Sequence, residues 1–141
     1  MKVSVMKVSV MKRTFAAAVL AALIAAVTPG YAHHSFVAEF DSDKPITQTG
    51  TVTKVEWTQP HAWIYIDAKD DSGKTVNWAW ELGSPTSLLR LGWTRSLLKV
   101  GTAVTFEGSR ARDGSNTANA RSVTLTATGQ KLLGASSQSQ N

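Results

Sequence analysis

His33, His34 and His61 are the only imidazoles in the 141-residue chain, and two of them are adjacent. The chain has no cysteine, and its three methionines, Met1, Met6 and Met11, all lie in the first eleven residues. Any metal chemistry therefore falls to nitrogen and oxygen donors. If His33 were the first residue of a processed chain, its free α-amine and imidazole would chelate one divalent ion, and a distant imidazole would complete a three-nitrogen set. Cu(II) suits such donors and tops the affinity order, whereas Cu(I) would want sulfur. The pairings this allows are His33 with His61, or His33 with His34. Glu39, Asp41 and Asp43 are close enough in sequence to add an oxygen ligand. The other common amino-terminal copper motif needs histidine at the third position, where Ser35 stands. Two plainer readings compete with a metal site: solvated histidines at a terminus, and a His61 that hydrogen-bonds a loop carbonyl.

The metal reading depends on where the chain is cut. Lys12 and Arg13 precede an apolar run, Phe15 to Val27, that is short for a bilayer anchor. Pro29 breaks the run, and Gly30 and Ala32 supply the small residues of a signal-peptidase site. The expectation is a signal peptide over residues 1–32, export to the periplasm or beyond, and a mature chain that starts at His33. MKVSV occurs twice in tandem before Met11, which reads as ambiguity in the start codon.

Export also changes the charge argument. The full chain carries 15 Lys and Arg against 10 Asp and Glu, but four of those bases and none of the acids lie in residues 1–32. The mature chain is close to neutral, so the high overall pI gives no reason to expect a nucleic-acid partner. No second long apolar stretch points to a membrane span in the mature form.

The elements that would position these residues read mainly as strands. Ile46 to Trp57 is rich in Thr and Val, and residues 58–60 interrupt it. His61 to Asp70 alternates Ile64, Ile66 and Ala68 with Trp63, Tyr65 and Asp67, which is strand periodicity. A turn at residues 70–73 leads to a partner strand, Lys74 to Leu82, with Val76, Trp78, Trp80 and Leu82 on its apolar face. Ser84 as N-cap, Pro85 at the first helical position and Gly92 as a stop predict a short helix, and residues 94–98 predict a further helical turn. Two more strands, Thr102 to Ala111 and Asn119 to Ala127, form a hairpin around residues 112–117.

Three strands, a helix and two strands predict a mainly β, five-stranded, OB-like Greek-key barrel over residues 45–128, with a small open β-sandwich as the alternative. Residues 33–44 are expected to form a separate N-terminal segment, and residues 129–141 a disordered polar tail.

HHSF, QPHAW, WELGSP, LGWT, LKVGTAVTFEGS and NARSVTL, in that order, resemble a family of small exported bacterial proteins known as domain of unknown function 6152. The resemblance spans nearly all of the mature chain. It implies an exported, OB-like protein and no particular activity; Gln59 stands where the family has Asn.

All five tryptophans lie beyond residue 56. Trp63 and Tyr65, on strand two of an OB-like barrel, are placed to stack on an organic ligand or glycan or to meet a protein. Trp78 and Trp80 read as core. If Phe36 and Phe40 covered the Trp63 and Tyr65 face, His33 would be brought near His61. The arginines at 90, 95, 110, 112 and 121 read as solvated surface. Glu81 and Asp67 make an acid/base pair only if a cleft brings them together. Ser84 sits at a helix cap outside any GxSxG elbow, and HExxH and phosphate-binding glycine loops are missing from the sequence. The sequence therefore predicts a binding protein without catalysis of its own, for a divalent metal or a small organic ligand. An accessory subunit of an envelope complex is the third option.

Overall fold

The computed structural model describes residues 36–140, so the expected signal peptide, His33 and His34 lie outside the described residues. A short helix, α1 (Phe36–Glu39), leads into β1 (Phe40–Glu56), β2 (Trp63–Lys69) and β3 (Thr75–Glu81). Helix α2 (Pro85–Arg90) follows, then β4 (Ala103–Ala111), β5 (Thr117–Leu125) and β6 (Lys131–Leu133), and a 3-10 turn (Ser137–Gln140) ends the described chain.

The fold is mainly β, as the alternation predicts. The strands form one sheet in the order β3-β2-β1-β4-β5-β6. Neighbours in that order are antiparallel, and a parallel contact of Ala79–Glu81 with Thr117–Asn119 joins β3 to β5 and bends the sheet into a ring. With only three residue pairs at this seam, the ring is unevenly closed, and the first half of β3 has no neighbour on its β5 side.

β1 makes the ring possible. Its N-terminal part pairs with β4 from Phe40↔Ala111 to Thr51↔Ala103, and its C-terminal part pairs with β2 from Gly50↔Ala68 to Glu56↔Trp63. A strand of 17 residues serving two partners must bend, and its pairing shifts register between Asp41 and Pro45 and again between Val52 and Lys54.

The β2–β3 hairpin follows the expected parity: Ile64, Ile66 and Ala68 are buried, while Trp63, Tyr65 and Asp67 face outward. Its turn is held by Asp70, whose Oδ1 accepts hydrogen bonds from the Ser72 amide and hydroxyl and from the Lys74 amide. Gly73 there has φ +80, a conformation that favours glycine. Ser84 caps α2 by accepting from the Ser87 amide at 3.2 Å, and Pro85 opens it, also as expected.

Inside the ring Trp80 stacks on Phe106 with centroids 4.8 Å apart, among Ile66, Leu82, Val104 and Val123, all fully buried. Each such side chain contributes roughly 1.5–3 kcal/mol relative to exposure. Leu88 of α2 and Trp93 join the same core, so the helix plugs one part of the ring.

The structure departs from the sequence reading in several places. β1 begins at Phe40, so residues 40–44 of the stretch set apart as an N-terminal segment belong to the sheet. Phe36 and Phe40 pack on each other and on Ala111, not over Trp63 and Tyr65, because the pairing of Phe40 with Ala111 carries them to the β4 end. Residues 94–98 form an isolated turn without a helix. The tail expected to be disordered carries β6: Leu132 is buried in the core, and the Leu133 carbonyl accepts a hydrogen bond from Trp93 Nε1 at 2.9 Å.

Candidate functional site

The loop from Trp57 to Ala62 returns the chain from β1 to β2 through a cis Gln59–Pro60 peptide. Its exit is pinned to the end of β3: Ala62 N donates to Gly83 O at 3.0 Å, and Leu82 N donates to Ala62 O at 2.9 Å. Thr58 Oγ1 adds a bond to the His61 carbonyl. The loop is thereby fixed, and the His61 ring lies over the β3 end with its side chain 29% exposed.

His61 Nδ1 is 3.1 Å from the Leu82 carbonyl oxygen. That oxygen only accepts, so Nδ1 carries the proton and, in the neutral ring, Nε2 carries the lone pair. The ring hydrogen-bonds a carbonyl, one of the plainer readings, through the nitrogen that leaves the other available as a ligand. Behind it, Glu81 Oε1 lies 3.9 Å from Nδ1.

Glu81 is the unexpected member of this group. Strand parity puts it on the outer face with Asn77 and Ala79, yet it is only 5% exposed. Asn119 Nδ2 donates to Glu81 Oε1 at 2.9 Å, and the Ser136 hydroxyl donates to Asn119 Oδ1 in a short contact. The Gln138 amide in turn donates to Ser136 Oγ. A continuous polar chain thus runs from half-exposed His61 through buried Glu81 and Asn119 to the C-terminal turn, against which α1 also lies. Ser136 lies in the tail that composition predicts to be disordered, so no local signal in the sequence points to it.

Glu81 and Asp67 are not brought together. Asp67 pairs with Asn77 in register and accepts from its Nδ2 at 2.8 Å, four residues or about 13 Å along β3 from Glu81.

Trp63 and Tyr65 share the outer face, each half-buried. Tyr65 is engaged within the chain: its hydroxyl donates to Glu56 Oε2 at 3.0 Å, and Lys54 Nζ sits 5.1 Å above its ring while pairing with Glu56 at 2.5 Å. The Lys54 ammonium and then the Tyr65 hydroxyl hold the Glu56 carboxyl below its ordinary value. Burial, and then the same carboxylate, raise the Tyr65 phenol. One ring face is therefore covered by an ammonium, which leaves Trp63 as the more available aromatic.

Among the described residues no three His, Asp or Glu side chains converge into a metal-holding group. Asp41, weighed as an oxygen ligand, instead faces Arg112 at 3.5 Å and Lys44 at 3.7 Å.

Residues 20–120 match the model of a family of unknown function (DUF6152). The chain belongs to this family. The match takes in the His61 loop, Glu81 and Asn119, and it ends within β5, before β6 and Ser136. No curated protein and no solved structure matches the chain.

Proposed function

We propose that this is an exported, non-catalytic binding protein that holds Cu(II), or a similar divalent ion, between the amine and imidazole of an N-terminal His33 and the Nε2 atom of His61, with His34 as the alternative second imidazole. The observation that carries the reading is the anchored His61 ring. Its Nδ1–H is held by the Leu82 carbonyl, and a buried carboxylate lies behind it. Metal-ligating histidines typically have this outer arrangement, which fixes the tautomer and raises the basicity of the ligating nitrogen.

The donors are all nitrogen, which fits Cu(II).

The test is a Cu(II) titration of exported protein whose N-terminus has been confirmed by mass. It is compared with protein carrying one extra residue before His33 and with His61→Ala. Affinity should fall at least about a hundredfold in both, since each change removes a ligand, equivalent to about 3 kcal/mol. Equal affinity in all three proteins refutes the reading.

A further inference from the structure

Away from His61, the short β3–β5 seam leaves an open cleft of about 660 Å³. Its lining includes Gln48, Val76, Trp78, Arg110 and Asn116, with Asp70 and Asp71 of the β2–β3 turn at its edge. The volume is in the range of sites that hold small molecules.

Arg110 is the group in this cleft with an unmet polar atom. It follows Val104, Phe106 and Gly108 on the inward side of β4, so the strand aims a cation into the ring. Its guanidinium lies 5.3 Å over the Trp78 ring, and Nε is buried with no hydrogen-bond partner. Three carboxylates that might have paired with it are occupied elsewhere. Asp41, its register partner, faces Arg112 and Lys44, Glu107 bonds Lys131 and Ser122, and Asp70 Oδ1 takes three hydrogen bonds from its own turn. Among the described residues Arg110 has no ion-pair partner.

A partly desolvated guanidinium without a counter-ion is costly, and it matches a carboxylate in shape as well as charge. The edge of the cleft determines which anions fit. At the edge Asp70 and Asp71 outnumber Lys69 and so disfavour a ligand of high negative charge, while Val76 and the small exposed part of Trp78 offer apolar surface to the body of a singly charged one. We infer that this cleft binds a small organic monocarboxylate, with its carboxylate on Arg110 and the amides of Gln48 and Asn116 within the same site. This site is separate from the metal reading and does not depend on it.

The test is NMR titration of the full mature protein, without added metal, following the Arg110 Nε–Hε and Trp78 indole signals. Benzoate is the probe, benzamide its neutral counterpart, and phosphate and citrate the more highly charged anions. Saturable shifts of both signals with benzoate, absent with benzamide and weaker with phosphate and citrate, are expected. Arg110→Lys keeps the positive charge but loses the planar fork, and affinity should fall about tenfold or more. Three results would overturn the inference: no saturable benzoate shift, equal binding of benzamide, or unchanged affinity in a folded Arg110→Lys protein. Tighter binding of citrate than of benzoate would overturn the monocarboxylate assignment. The benzoate and benzamide comparison stands without the variant, so a failure of Arg110→Lys to fold leaves the test intact.

Discussion

Replacing Asn119 with alanine probes the polar chain behind His61 most directly. Asn119 is 2% exposed and bonded on both sides, donating to Glu81 Oε1 at 2.9 Å and accepting from Ser136. A hydrogen bond to a charged group contributes about 1.5–3 kcal/mol and a neutral one about 0.5–1.5. Asn119→Ala should therefore cost about 2–4 kcal/mol, a large part of the 5–15 kcal/mol typical of a domain. In urea, with a slope of about 1.5 kcal/mol per molar, the midpoint should fall by roughly 2 M. Asn119→Asp sharpens the test because it sets a second carboxyl against Glu81. Two carboxyls in one buried site raise the folded-state pKa of the pair. The stability this variant retains in acid should thus be lost as pH rises through and beyond about 4, the unfolded value. A midpoint for Asn119→Ala within about 0.3 M of the parent, with the slope unchanged, would refute the reasoning, since the chain would then contribute less than a single neutral hydrogen bond.

Gly108→Ala should be severely destabilising, by about 3 kcal/mol or more, because overpacking at rigid backbone has no inexpensive relief. A Cβ there would lie 1.9 Å from the Asn119 carbonyl oxygen and 3.1 Å from Trp80, and a thermal melt showing a small loss would contradict the closeness of β4 and β5. Acid should loosen β6 before the rest of the ring. The Lys131 ammonium, followed by the Ser122 hydroxyl, holds the Glu107 carboxyl below its ordinary value. The stability from this group is thus present above the unfolded carboxylate pKa and lost as pH falls through the lower folded one. Hydrogen exchange of the Leu132 and Gly134 amides, corrected for intrinsic rates, should rise across that window in the parent and depend less on pH in Lys131→Ala.

The alternation of Ile64, Ile66 and Ala68 with Trp63, Tyr65 and Asp67 is a local property of a strand, and it appears in the structure with the faces assigned as expected. The cap of α2 is equally local: Ser84, Pro85 and Gly92 act within one turn of their own positions. The assignment of Trp78 and Trp80 to the core rested on the same parity and holds. Composition restricted the candidate metal ligands to nitrogen and oxygen donors, because the chain has no cysteine and its methionines lie at the far N-terminus.

Long-range contacts decided the rest. Parity alone gave Glu81 an outward position, and only the approach of Asn119 and Ser136, 38 and 55 residues later, turned that position into a buried one. Arg110 carried an inward parity of its own on β4, but a charged residue reads as surface until the ring shows that none of the described carboxylates pairs with it. The tail was polar enough to be taken for disorder, yet β5 presents an open edge with which Lys131–Leu133 pairs. Composition measures what a segment can bury by itself. It carries no information about an edge strand or a buried carboxylate elsewhere in the chain, which is why local periodicity determined the elements while the tertiary fold decided which polar residues came together.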